Sequence, residues 1–408
     1  MMKQAREFPV FTVTPKAARS LAAGHPWVYA QEVLAAQPCE NGALADVFSQ
    51  KGSWLGTGLV SLQSKIRVRI FSRNANDVFD EAFWRRRLRY AWEYRKAVMG
   101  PDVSNCRIIF GEADQFPGLT VDRYGTLLSA QVLSAGMERL KHTLFPALVQ
   151  MLRADGQNIR GLYERNDVAL REKEGLVQYK GWYGLSALGL QTPETPLAHI
   201  CENGIRYTVD VENGQKTGFF LDQKYNRRAV AALAKGRTVL DCFTHTGSFA
   251  LNAARGGAAK VTAVDVSETA CAMARRNAEE NGLAGVVQCV AADVFELLPS
   301  LSKGSYDFII LDPPAFTKAR KTLHNALRGY KEINTRAMRL LPRGGYLATC
   351  SCSHFATEEE FCKMLAAAAA DAGVQLRQIA ARQQAPDHPI LWSVPETDYL
   401  KFYLFQVV

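Results

Sequence analysis

Thr238-Val-Leu-Asp-Cys-Phe-Thr-His-Thr-Gly-Ser-Phe249 decides the fold. A short run with strand character ends in an acid and a cysteine. A polar turn with one glycine follows, and a helical pattern runs from Gly247 to Arg255. Strand, turn and helix in this order form one unit of an α/β sheet. The unit recurs downstream. Lys260–Asp265 leads into a helix over 268–281, Val287–Ala291 into one near 294–300, and Phe308–Leu311 into a long helix over 320–341. Tyr346–Cys350 leads into a helix from Glu358, where Thr357 and Glu360 form a capping box. The runs 375–381 and 400–407 have no long helix between them and read as a hairpin-type edge. The pattern predicts a mostly parallel, doubly wound sheet with an antiparallel C-terminal edge over 199–408.

Two smaller regions precede it. Residues 1–72 hold short strand-like runs at 8–14, 44–48, 54–60 and 65–71 between glycine-rich turns, which predicts a small β-barrel with His25-Pro-Trp-Val28 in a loop. Residues 73–198 open with a helix over 79–98. Trp84, Leu88 and Trp92 make its core stripe, and Arg85, Arg86, Arg89 and Arg95 fall elsewhere, on a face that is either solvated or a basic surface touching phosphates. Strand-like runs around a further helix at 138–153 predict a small α+β layer.

The 408 residues carry a formal charge of +9, which favours a polyanionic partner. No run of about 18 uncharged apolar residues occurs, which argues against a membrane span. The start, Met1-Met-Lys-Gln-Ala-Arg-Glu-Phe-Pro, has no apolar core of a secretory leader. Nine scattered cysteines form no disulfide framework, so a cytoplasmic location is expected. Cys350 and Cys352 are too close for zinc-ligand spacing, and no metal site is expected.

In doubly wound sheets, ligands sit beyond the carboxyl ends of the strands. Each predicted strand end here offers an acid: Asp241, then Asp265 at 24 residues further on, Asp293 and Asp312. An acid at the place of Asp265 can hold both hydroxyls of a ribose, and one at the place of Asp293 can accept from the amino group of an adenine. Any one of them could be a helix cap instead. Four at successive strand ends are harder to explain so. The single Gly247 is not G-x-G-x-x-G, and no phosphate-cradling loop occurs, which points to a nucleoside without a pyrophosphate.

At this point the chain resembles the class I S-adenosylmethionine-dependent methyltransferases, and more closely the bacterial 23S rRNA cytosine-C5 methyltransferase family. The resemblance rests on His25-Pro-Trp-Val28, Phe116-Pro-Gly-Leu-Thr-Val-Asp-Arg-Tyr-Gly125, Tyr163-Glu-Arg-Asn-Asp167, Gly218-Phe-Phe-Leu-Asp-Gln-Lys-Tyr-Asn-Arg227, Asp312-Pro-Pro-Ala-Phe316, Asp387-His-Pro389 and Tyr399-Leu-Lys401. It implies an N-terminal PUA-like RNA-binding domain, a central domain and a Rossmann-like methyltransferase domain. It implies S-adenosylmethionine at Asp241, Thr246, Gly247, Asp265, Asp293 and Asp312. Cys352 would be the nucleophile that adds to C6 of cytosine, with Asp312 sharing a proton at N3/N4. Pro313, Pro314 and Phe316 would shape the base pocket, although Phe316 could equally pack, and Lys224 and Arg227 would touch substrate. The implied partner is 23S rRNA or its large-subunit precursor, and a homodimer is left open.

One departure stands out. Related RNA cytosine-C5 enzymes carry a second cysteine beside the proline of the fourth-strand motif, and here that place is Ala315. Lys224, Asp312 and His354 are the remaining candidates to take the C5 proton. Two other readings are an adenine amino-group methyltransferase, which would need no cysteine, and an assembly factor with an inactive fold. The strand Tyr346–Cys350 should leave Cys350 in the sheet and Cys352 beyond its end.

Overall fold

The structure is a computed structural model that describes residues 7–317 and 319–408. Residues 1–6, part of the start read above as lacking a leader, lie outside the described residues. Packing divides the chain into two compact units. One comprises Met1–Ile200, Thr208–Leu221 and Pro386–Thr397. The other comprises Cys201–Tyr207, Asp222–Ala385 and Asp398–Val408.

The first unit contains two sheets. The N-terminal sheet runs, edge to edge, through Trp27–Tyr29, Ile66–Ser72, Trp54–Val60, Leu44–Ser49, Val10–Val13 and Val33–Ala36. Val10–Val13 lies parallel to Leu44–Ser49, and the other neighbours are antiparallel. Alternate residues Phe11, Val13, Val47 and Val68 turn inward with Val28 and meet Ala17 and Leu21 of the helix Pro15–Ala22. That helix is eight residues long, too short for its period to stand out in the sequence. Thr14 caps it and Pro15 opens it. The expected loop at His25-Pro-Trp-Val28 is a strand entry instead: Trp27 pairs with Arg69 and Val28 with Val68. Pro26, which cannot donate to a ladder, stands just outside the strand.

The second sheet of this unit has the order Tyr179–Trp182, Gly161–Asn166, Leu127–Val132, Leu119–Tyr124, Asn105–Phe110. The helices Glu81–Met99 and Ala135–Ala154 accompany it. Trp84, Leu88 and Trp92 are buried, as their spacing predicts. Arg95 corrects the solvated-face reading. It is 0% exposed and falls on the same stripe, three residues after Trp92. Its guanidinium grips Asp114 through both terminal nitrogens, at 2.5 and 2.7 Å, while Nε donates to the Arg107 carbonyl at 2.8 Å. Arg85 and Arg89 are exposed.

The second unit is built on a seven-stranded sheet. Its elements are β1 (Thr238–Cys242), α1 (Ser248–Arg255), β2 (Lys260–Asp265), α2 (Glu268–Glu280), β3 (Val287–Ala291), α3 (Val294–Ser300), β4 (Phe308–Leu311), α4 (Leu323–Leu340), β5 (Tyr346–Ser351), α5 (Glu358–Ala372), β6 (Leu376–Arg382) and β7 (Lys401–Val407). The strand order is β3-β2-β1-β4-β5-β7-β6, with β7 antiparallel to both of its neighbours and the rest parallel. The expected Rossmann-like sheet and antiparallel edge are both present. The order reverses between β1 and β4, which places a crevice beyond their carboxyl ends. Among the described residues no helix is long and apolar enough to cross a membrane.

Replacing Arg95 by Ala strands a buried carboxylate. The expected loss of stability is about 3–5 kcal/mol, whereas Arg85→Ala, in a pair half open to water, costs less than about 1 kcal/mol. Denaturant titration followed by tryptophan fluorescence measures both.

Candidate active site

The acid that ends β1 is fully buried. Asp241 Oδ2 accepts from the Thr244 hydroxyl at 2.5 Å and from the Ala250 backbone N–H, in the first turn of α1, at 2.9 Å. Oδ1 has no hydrogen-bond partner among the described residues, and neither has the buried Thr246 hydroxyl. Burial pushes the Asp241 carboxyl up to about 7, and the nearby Asp312 and Asp265 charges add to the rise. A buried acceptor and a buried hydroxyl left open at a helix entry suit a small polar group with an ammonium. The loop between them is tightly wound. Phe243, His245 and Gly247 all have positive φ, at 63°, 52° and 81°. A Cβ on Gly247 would stand 3.0 Å from the Ala274 Cβ in a conformation that disfavours side chains, so glycine is required there.

Asp265 ends β2 and turns its carboxylate onto the same loop. It accepts from His245 N at 2.9 Å and from Ser267 N at 3.0 Å. This explains how His245 tolerates its left-handed backbone. Asp293 lies two residues beyond β3, is exposed, and caps α3 by accepting from Phe295 N at 2.7 Å. Asp265 and Asp293 thus also serve as the turn and cap residues that short acids favour.

Asp312 follows β4 directly. Register sets Leu311 opposite Thr349, so Asp312 comes beside Cys350 of β5, and the Pro313-Pro314 corner comes beside Cys352. Gln223 Nε2 donates to Asp312 Oδ1 at 3.1 Å, and the Cys350 thiol is hydrogen-bonded to the same carboxyl. Burial, with the Asp222 charge next, lifts Asp312 to about 6. Cys350 is wholly buried, and burial together with the Asp312 charge holds its thiol well above the ordinary range. Strand β5 ends at Ser351, so Cys352 stands just past it, half-buried, with Sγ 4.0 Å from the Pro313 carbonyl. Phe316 packs within the fold. Its ring lies 4.5 Å from that of Tyr330 and 6.0 Å from that of Phe295. Pro313 is buried and Pro314 exposed.

The cations between 216 and 228 do not behave alike. Lys216 belongs to the first unit. Arg227 is 1% exposed and paired with Glu202, with Nε at 2.7 Å from Oε1 and Nη2 at 3.0 Å from Oε2. Lys224 is also buried, Arg228 is exposed over the Tyr225 ring, and His354 is exposed. Sequence reasoning passed over Gln223, whose neighbour Lys224 drew attention by its charge. It also passed over Lys401, buried at the start of β7. Nothing in the local pattern shows that this lysine turns inward, away from water.

Comparison with known proteins follows the same lines. The pattern of the family described as S-adenosylmethionine-dependent methyltransferase matches residues 181–402, and that of a PUA-like domain matches residues 11–73. Ribosomal RNA large subunit methyltransferase I of Aeromonas salmonicida is 40% identical over 389 residues, covering 94% of this chain and 95% of its own. The protein of the same name from Klebsiella pneumoniae subsp. pneumoniae is 38% identical over 406 residues, covering 98% and 99%. Among solved structures, one from Streptococcus mutans, assigned as a SAM-dependent methyltransferase, superposes with a TM-score of 0.80 at 22% identity over 98% of this chain and 100% of that one. That likeness is one of fold. The open Asp241 oxygen and the open Thr246 hydroxyl at the α1 entry fit the amino-acid end of S-adenosylmethionine. The chain uses that cofactor and belongs to the S-adenosylmethionine-dependent methyltransferase family that contains ribosomal RNA large subunit methyltransferase I.

Proposed function

We propose that this protein methylates C5 of a cytosine in 23S rRNA, or in its large-subunit precursor, through a covalent bond from Cys352 to C6. One observation carries the reading: a half-buried thiol just past the end of β5, 4.0 Å from the Pro313 carbonyl of the Asp312-Pro-Pro corner. When bound, S-adenosylmethionine supplies an electrophilic methyl group. Asp241, Thr246 and the Gly247 turn hold its amino-acid end, Asp265 its ribose and Asp293 its adenine.

The chain's own residues make the pyrimidine reactive. C5 of cytosine is a weak nucleophile. Addition of the Cys352 thiolate to C6 turns C5 into the carbon of an enamine. The ring then needs a proton partner at N3, and Asp312, lifted to about 6, is poised to share one near neutral pH. Loss of the C5 proton and departure of the thiolate restore the ring. Gln223 fixes the Asp312 carboxyl, and the two prolines fix the corner that carries it. An adenine amino-group reading gains nothing from Phe316, whose ring packs on Tyr330 and Phe295.

The division 1–72, 73–198 and 199–408 assigns RNA grip to the PUA-like part and chemistry to the last. The charge of +9 supports an RNA partner. A cytoplasmic site of action follows from that substrate. The base must be unstacked to reach the thiol.

Methyl transfer from labelled S-adenosylmethionine to 23S rRNA is expected to vanish in Cys352→Ala and to persist in Cys350→Ala, with product identified as 5-methylcytidine by nucleoside mass spectrometry. Full activity of Cys352→Ala ends the covalent reading. Cofactor affinity is expected to depend on pH with a defined sign. An ammonium favours ionised Asp241, so binding tightens as pH rises through about 7 and weakens up to about tenfold per unit below it. Calorimetry between pH 6 and 8 should show this slope in wild type and its loss in Asp241→Asn.

A further inference from the structure

The first residue of β7, Lys401, is 6% exposed, and its ammonium is held by backbone carbonyls. Nζ donates to the Ser353 carbonyl at 2.7 Å and to the Tyr399 carbonyl at 2.9 Å. Ser353 follows Cys352 directly, and Lys401 pairs in register with Ser351 on its other side. The lysine therefore braces the turn that presents the thiol. Tyr399, which supplies the second carbonyl, is itself anchored through its hydroxyl to Asp222 Oδ2 at 2.5 Å. The brace starts on a fixed point.

We infer that Lys401 is the positioning residue for the nucleophile: its buried ammonium orients the Cys352 turn through the Ser353 carbonyl and holds the Cys352 sulfur as a thiolate. The inference rests on the covalent reading of Cys352 for its place in the reaction, while its effect on the thiol is measurable without it. A cation taken out of water and bonded to neutral carbonyls is stabilised by anions nearby. A thiolate one residue from the carbonyl it grips is such an anion. Burial depresses Lys401 to about 8, and the charge that most opposes this is Cys352, followed by Asp398, Glu358 and Glu360. The Cys352 charge also reaches Tyr330 and Cys350.

The electron count explains why a cation beside this sulfur serves both halves of the reaction. On addition, a lone pair of the thiolate forms the S–C6 bond, and the C5–C6 π pair moves to the ring. The sulfur becomes a neutral thioether. Between the two steps, that ring pair would form the bond from C5 to the methyl group that S-adenosylmethionine supplies. On elimination, a base such as the Asp312 carboxylate takes the C5 proton, the C5–H pair becomes the C5–C6 double bond, and the S–C6 electrons leave on sulfur as thiolate. The ammonium stabilises the anion at the start and again as leaving group. Lys401 keeps its proton throughout.

The test reads the thiol directly. Alkylation of Cys352 by iodoacetamide, quantified on its own peptide by mass spectrometry across pH 5.5–10 (a chosen range, on the order of the thiol and lysine pKa values), reports the thiolate fraction. Wild type should alkylate with an apparent pKa below the usual thiol value of about 8.5. Lys401→Met should raise it by about one unit and slow alkylation at pH 7 about tenfold, and Lys401→Arg should restore most of the loss. Calorimetric binding of S-adenosylmethionine should be unchanged in both variants, which shows that the fold is kept. An unchanged alkylation profile in Lys401→Met with intact cofactor binding overturns the inference, as does a variant that no longer binds cofactor and is not rescued by Lys401→Arg. If Cys352→Ala retains methyl transfer while the Lys401→Met profile still shifts, the covalent reading has failed and the coupling between the two residues stands.

Discussion

A carboxyl group buried at the end of the central strand organises the second unit. Asp241 cannot reach water, so its two oxygens must be answered from the chain or from a ligand. One is answered by the Thr244 hydroxyl and by the Ala250 N–H of α1. This fixes how α1 leaves β1 and forces the intervening loop into three left-handed residues. The same loop then delivers the His245 N–H to Asp265 on the neighbouring strand. The second oxygen of Asp241 stays open. Burial makes a charge on this group costly, which is why it retains a proton up to about pH 7. In the proposed reading a cationic ligand removes that cost, so the strain of the resting fold becomes selectivity for an ammonium.

A second layer of constraint comes from segments distant in sequence. Asn226, on the helix Lys224–Ala231, bonds to the Gln383 carbonyl, and Arg227, on the same helix, makes its bidentate pair with Glu202. Asp222 receives the Tyr399 hydroxyl, and its carbonyl receives the Ala385 N–H. Gln223, between these anchors, reaches Asp312. The Asp312 carboxyl is therefore held by a residue whose two neighbours in sequence, Asp222 and Lys224, are both buried. The last strand, β7, closes beside β5 and brings Lys401 to the Cys352 turn. This antiparallel strand, set between β5 and the edge strand β6, supplies part of the proposed site.

The sheet was legible because buried parallel strands read as short apolar runs, and because acids stand where such runs stop. Asp265 and Asp312 both lie within electrostatic reach of Asp241. What the sequence hid was the direction of charged side chains. Arg95, Arg227 and Lys401 are all cations, and a cation in a helix or at a strand start reads as solvated. Each is buried because of an acceptor far along the chain: Asp114 for Arg95, Glu202 for Arg227, the Ser353 carbonyl for Lys401. No local period encodes such partners. The short helix Pro15–Ala22 was hidden for a different reason, since two turns give too few repeats to reveal an amphipathic face.

The two cysteines of Cys350-Ser-Cys352 differ by one residue of strand. Cys350 still pairs in the sheet, opposite Phe402, with no water and with the Asp312 carboxyl against its sulfur. Both circumstances oppose a thiolate, so its thiol stays protonated and acts as a donor to Asp312. Cys352 has left the ladder, is half-buried, and has the Lys401 ammonium bonded to the carbonyl of the next residue in its turn. Ended two residues earlier, at Thr349, β5 would release both cysteines from the ladder, and ended one residue later, at Cys352, it would pair both. The termination of β5 at Ser351, where the Lys401 pair closes the ladder, makes one cysteine structural and leaves the other available for chemistry.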